Sequence, residues 1–364
     1  MDLVAASRCL TLLAMAWALW LSRRAWTGPR LAPRTPVFPG APSVEALFPA
    51  LFGLLALSLV GSWAVAPLVV LLGLFCASDW TRFRPWLYQN VCLILSLTYL
   101  PPAQALLACQ LVTVSIYFWA GLMKVNRLFV EVVMPYITGP LCKNRFPGRV
   151  SYAIPFVEAA LGLGLLFPVT RGISILGALG MHAFILLCFS RWGHKTHREI
   201  WPWNAAMALN NVLLFGFSSS SALDILWGSH LWHRLLLLLF AVLPVLGFWN
   251  RLDPVFSHGH MAGRHCFGAL FLTRRLQRRL PERLRGLCHS QGRYFMLDIS
   301  QWWMEELRVP PPQQESMLVA IARDFRRYEP TEGDLRLLVF RMPGALCSAN
   351  PQKEYTWGEL FLTD

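Results

Sequence analysis

The feature that most constrains this chain is a series of long apolar runs that recur through its first 250 residues. A helix needs about 20 apolar residues to cross roughly 30 Å of hydrocarbon. Runs of that size occupy 3–21, 103–123, 150–168, 171–190 and 230–249, and shorter ones occupy 86–101 and 201–217. In a bilayer every backbone polar group must be satisfied within the segment, so such runs must be helical. The expectation is an all-α polytopic membrane helix bundle.

Charge divides the chain in two. Only 15% of the 364 residues are charged, against about 25% in a soluble domain. Seven of the 20 acidic residues fall in the first 250 and the other 13 in the last 114. Residues 1–250 therefore read as a multi-span transmembrane domain. Residues 251–364 read as a basic, soluble C-terminal domain.

The first run resembles a signal peptide in length, but Asp2 and Ser7-Arg8 make a poor basic start. Leu19-Trp20-Leu21 is no small-residue cleavage site, so a retained anchor is expected.

Residues 47–78 form a run of 32, too long for one straight span and short for two. Gly61-Ser62-Trp63 and Pro67 interrupt it near the middle, and proline removes a backbone donor from a helix. Arg23, Arg24, Arg30 and Arg34 precede the run, and Arg82 and Arg84 follow it. A hairpin places all six on one side, whereas a single crossing would split them.

With the hairpin, about nine spans result and the positive loops sort to one side. That side carries the six arginines, then Lys124, Arg127, Lys143, Arg145 and Arg149, then Arg191, Lys195 and Arg198. The other side carries only Arg171. The expected topology is N-terminus outside and C-terminus cytoplasmic, in the inner membrane if the cell is bacterial. The net charge of +13 is then a topology and anionic-lipid signal rather than a nucleic-acid footprint.

The tail begins at Arg251. Segments 266–272, 293–299 and 335–341 read as short strands, and 300–307 and 313–327 as helices. A small α+β appendage is expected. Within 272–287, leucines at 276, 280, 284 and 287 make a helical stripe flanked by Arg274, Arg275, Arg278 and Arg279. Two readings are open: a helix lying on anionic headgroups, or a surface helix of the small domain.

Nine scattered cysteines without a Cys-x-x-Cys make neither a disulfide framework nor a zinc site. His258, His260 and His265 lack a carboxylate or cysteine at fixed spacing, so no metal is expected there.

Ionisable groups inside a bilayer are expensive and are functional candidates by default. Glu158 lies mid-span in 150–168 and His182 mid-span in 171–190. Neighbouring spans could join them as a proton relay or headgroup site, or they could be packing hydrogen bonds. Lys124 closes the segment Tyr117-Phe118-Trp119-Ala120-Gly121-Leu122-Met123. Desolvation at a cavity mouth would make it a base, and a helix end would make it a snorkelling marker. Asp79 can cap the turn after it, and Trp86 and Tyr88 sit at interfacial depth.

The pattern Asp79-x6-Trp86-x-Tyr88 followed by Ile116-Tyr117-x2-Ala120-Gly121-x2-Lys124-x-Asn126 resembles the HTTM domain, the membrane module of vitamin K-dependent gamma-carboxylase. Similar motifs occur in DoxX-like and MauE-like membrane proteins. The resemblance spans about 50–250. It implies that Lys124 falls on the base that activates vitamin K hydroquinone, with Asp79, Trp86, Tyr88, Tyr117 and Asn126 lining a substrate site. Trp86 stands where the carboxylase has a functional histidine, and no large lumenal β-rich region follows the last span. Those departures set carboxylation aside. Two function classes remain. One is a non-catalytic membrane component that docks another membrane protein. The other is a membrane enzyme or redox partner for a quinone or other lipid-soluble substrate; no other cofactor is evident.

Overall fold

The computed structural model describes residues 2–38, 40–142, 148–194, 197–249, 251–259, 266–341 and 352–362. Helices fill the first 250 residues. They are α1 (Leu3–Leu21), α2 (Phe48–Val60), α3 (Val65–Ser78), α4 (Pro85–Tyr99), α5 (Pro102–Met123), α6 (Phe129–Cys142), α7 (Gly148–Leu166), α8 (Pro168–Cys188), α9 (Trp201–Phe215) and α10 (Leu231–Trp249). Proline stands at the start of α4, α5 and α8, where its missing N–H leaves no intrahelical bond unmade. Asp2 caps α1 through bonds from the Val4 and Ala5 amides.

Among the described residues, four helices are long and apolar enough to cross a membrane: α1, α5, α8 and α10. The other helices do not meet both measures over their described side chains, so the expected count of about nine spans is not established by helix length. In particular α2 and α3 have 13 and 14 residues. Each rises only about 20 Å, short of the hydrocarbon thickness.

The 47–78 run does fold as a hairpin. Phe48 at the start of α2 meets Phe75 near the end of α3, with ring centroids 6.5 Å apart. The arginine loops at its two ends lie against each other. Arg30 pairs with Asp79. Arg82, read in sequence as a topology marker, is fully buried: Nε donates to Ala25 O at 3.0 Å, Nη1 to Ser78 Oγ at 2.7 Å and Nη2 to Glu45 Oε1 at 2.5 Å. Residues 124–149, read as one long basic loop, contain α6 despite Pro140 inside it. Lys143 and Arg145 lie outside the described residues.

The tail holds a five-stranded antiparallel sheet in the order β2-β3-β1-β4-β5, from β1 (Cys266–Leu272), β2 (His289–Gln291), β3 (Tyr294–Asp298), β4 (Leu335–Arg341) and β5 (Gln352–Tyr355). Helices α13 (Ile299–Glu306) and α14 (Glu315–Arg323) cover one face; between β1 and β2 lie α11 (Arg274–Arg279) and α12 (Glu282–Arg285). Gly268 allows this cover to sit close. A Cβ there would stand 2.8 Å from Ile299 Cδ1.

The 272–287 segment is broken at Pro281 into α11 and α12. Leu276, Leu280 and Leu284 are buried in the core that also holds the sheet residues Leu270, Leu272 and Leu297, so the apolar stripe faces the sheet. Arg275 bonds Asp334 and Thr331, and Arg279 pairs with Glu329.

The tail shares one hydrophobic core with α1, the hairpin and the start of α4. Glu306 accepts the Leu31 and Ala32 amides and the Trp302 indole N–H. Trp303 Nε1 reaches Thr81 Oγ1 at 3.5 Å, and Arg84 donates to Pro310 O at 3.3 Å. Buried backbone amides need such partners, because an unpaired one costs about 1–3 kcal/mol.

Candidate functional site: a polar seam through the helix bundle

The polar candidates converge where α5, α7, α8 and α9 meet, and the seam is built on close backbone approach. A Cβ on Gly121 of α5 would stand 2.4 Å from Ala159 N and 2.5 Å from Pro155 O of α7. One on Gly162 would stand 2.7 Å from Phe118 N. Small residues on both helices thus let the backbones touch, the usual route to tight packing where no hydrophobic drive exists between spans.

That contact sets Lys124 against Glu158. Nζ donates to Oε1 at 2.7 Å and to Oε2 at 2.5 Å, with the two side chains 15% and 9% exposed. A charge taken so far from water is tolerated when paired and hydrogen-bonded. Two turns earlier on α5, the Tyr117 hydroxyl lies 2.5 Å from His182 Nε2 on α8 and accepts Asn211 Nδ2 from α9 at 2.5 Å. His182 Nδ1 lies 2.9 Å from Asn204 Oδ1, whose Nδ2 donates to Ile200 O.

The expected Glu158–His182 pair is therefore not formed. Each joins α5 instead, Glu158 through Lys124 and His182 through Tyr117. Both ring nitrogens of His182 and both oxygens of Glu158 are engaged within the protein.

The remaining candidates lie elsewhere. Asp79 is fully buried and caps the 80–82 turn, as its position suggested; it accepts Thr81 N at 3.1 Å and Thr35 Oγ1 at 3.0 Å. Asn126 caps α6, accepting Phe129 N at 2.8 Å. Trp86 is buried against the tail-facing core. Tyr88 stacks on Phe240 of α10 at 4.8 Å, and Phe240 stacks on His258 at 5.5 Å. The Tyr88 hydroxyl and His258 Nε2 are buried without a hydrogen-bond partner among the described residues. Burial pushes the His258 imidazole down to about 3, so it is neutral at physiological pH. His260 and His265 lie outside the described residues. Among the described residues no three His, Cys, Asp or Glu side chains come together as metal ligands.

Asn204 and Asn211 complete the seam, and Gln110 and Arg171 extend it; none of the four was singled out from sequence. Gln110 Nε2 donates to Leu214 O at 2.6 Å. Arg171, counted only as a lone loop charge, is buried and donates to the carbonyls of Leu165, Leu166, Ser218 and Ser220. The signal was present as amides inside apolar runs, which are rare enough to mark helix contacts.

These features define a polytopic membrane protein with a structured C-terminal α+β unit. Residues 102–200, which span α5 to the approach of α9, match the family model of methylamine utilisation protein MauE, a membrane protein family. The match covers about a quarter of the chain and contains Tyr117, Lys124, Glu158 and His182. Neither a curated protein nor a solved structure matches the chain.

Proposed function

We propose that this protein is a non-catalytic membrane component that assembles with another membrane protein. One observation carries the reading: Lys124 directs its ammonium at both oxygens of Glu158. Both oxygens of the carboxylate accept from the one ammonium, so the two side chains are committed to a contact between helices rather than left facing a cavity. His182 is likewise bonded at both nitrogens, so the seam reads as a rigid packing device. In this reading the chain crosses an inner-type membrane about nine times, with its N-terminus outside and its C-terminus cytoplasmic. The sorted positive loops support that topology, and so does the contact between the two arginine loops flanking the hairpin. Reporter fusions after Arg34 and after Arg84 then give the same, cytoplasmic, side. A relation to HTTM modules rests on the ordered Asp79, Trp86, Tyr88, Tyr117 and Lys124 motif and belongs to the same proposal. So does headgroup contact by the outward arginines of α11, Arg274 and Arg278, beside the internally bonded Arg275 and Arg279.

A second reading, an enzyme or redox partner for a quinone, is favoured by the stacked rings of Tyr88, Phe240 and His258, with two polar atoms beside them that have no partner among the described residues. Gentle detergent extraction of the full chain from native membranes separates the two. A stoichiometric partner protein that persists in Lys124→Arg supports assembly. A co-purifying quinone, identified by mass spectrometry and lost in Tyr88→Phe with no partner present, supports the alternative.

A further inference from the structure

At the junction of the first loop and the tail lies a cleft of about 350 Å³, walled by Arg24, Thr27, Arg30, Arg283 and Glu306. The volume is at the small-ligand end of the range for binding sites. Its charge is unbalanced. Arg24 and Arg283 are exposed, and among the described residues neither has a hydrogen-bond or ion-pair partner. Arg30 is fixed in place by Asp79 and by Ala25 O. Glu306, the acidic group in the wall, commits its oxygens to the Leu31 and Ala32 amides and the Trp302 indole. Two arginines without a partner among the described residues thus line a cleft whose carboxylate is already hydrogen-bonded, while Arg30 is matched by Asp79; guanidinium forks match phosphate oxygens in geometry and charge.

The cleft begins three residues after the last residue of α1. Leu13, Trp17 and Trp20 form an exposed stripe on that helix, 57%, 46% and 55% accessible, which runs toward Arg24. Exposed tryptophans at a span end belong at headgroup depth. An anion in this cleft therefore has an apolar track beside it that suits an acyl chain.

We propose that the cleft binds the phosphate of an anionic phospholipid, clamped by Arg24 and Arg283, while its acyl chain lies along Leu13, Trp17 and Trp20. This site is separate from the arginines of α11 and is independent of whether the bundle core is catalytic.

The test uses the full chain in micelles doped with brominated phosphatidic acid or brominated phosphatidylcholine, with tryptophan quenching as the readout. Phosphatidic acid is expected to quench at a lower mole fraction than phosphatidylcholine. Arg24→Gln/Arg283→Gln is expected to raise its midpoint about tenfold, the scale for losing charge-assisted bonds. Equal midpoints for the two lipids in the unaltered protein overturn the proposal, and this arm needs no variant to fold. A midpoint insensitive to Arg24→Gln/Arg283→Gln also overturns it. Displacement of phosphatidic acid by millimolar inorganic phosphate overturns the lipid source and assigns the cleft to free phosphate.

Discussion

Lys124 serves both carboxylate oxygens of Glu158 from the end of one helix to the middle of another, across 34 residues of sequence. Breaking one side of such a pair leaves the other charge buried alone. Glu158→Gln or Lys124→Met is expected to destabilise the protein by about 3–5 kcal/mol, read as a lowered thermal midpoint in detergent. Lys124→Met/Glu158→Leu removes both charges and is expected to recover most of the loss. A double variant no better than either single one would show that the pair is not what stabilises the contact.

The glycine contact gives a sharper test, because a control exists in the same bundle. Gly121→Ala places a methyl group within 2.4 Å of a backbone nitrogen, whereas Gly172→Ala meets nothing within 4 Å. Overpacking costs about 1–3 kcal/mol. The thermal midpoint is expected to fall for Gly121→Ala and to hold for Gly172→Ala. Equal responses would contradict a backbone-tight seam.

Glu306 holds the first loop to the tail. Glu306→Ala leaves the Leu31 and Ala32 amides without that partner, at a cost of about 1–3 kcal/mol for each group kept from water. Limited proteolysis is expected to cut near residues 28–38 sooner in this variant than in the unaltered chain, with the far end of the bundle unaffected.

Asp334 predicts an acid limit for the tail. Burial works to raise its pKa, but bonds from Thr273, Arg275 and Thr331 outweigh burial and hold the carboxyl well below the usual carboxylate range. A folded pKa below the unfolded one contributes stability that is complete above the unfolded value, about 4. That contribution is lost as pH falls through the folded value. Tail unfolding followed by tryptophan fluorescence is expected to become steeper in pH below about 4, and Asp334→Asn is expected to flatten that dependence.

Much of this architecture was legible because apolar run length and proline position are local. The helices at 3–21, 85–99 and 102–123 follow from them, as do the tail strands at 266–272 and 335–341. The hairpin was legible from the break at Gly61-Ser62-Trp63 and Pro67 together with charge, since splitting the six arginines would have cost the loop asymmetry. The partners were not legible. Periodicity places Lys124 and Tyr117 on one face of α5, yet it does not say that α7 brings Glu158 to the first and α8 brings His182 to the second. Strands β2 and β5 escaped because His289–Gln291 is short and Gln352–Tyr355 is polar; only their neighbours in the sheet make them strands. Helix α6 escaped because its short apolar run lies between the basic residues Lys124, Arg127, Lys143, Arg145 and Arg149 and was counted with the loop they mark.

The tail's grip on the first loop has a consequence for synthesis. Leu31, Ala32 and Thr81 leave the ribosome long before Trp303 and Glu306 exist to receive them. Until some 220 further residues have been translated, the early hairpin stands with its arginine loops uncapped and part of its core open. A nonsense mutation between residues 250 and 300 therefore damages more than the tail, leaving the bundle with part of its own core unsealed.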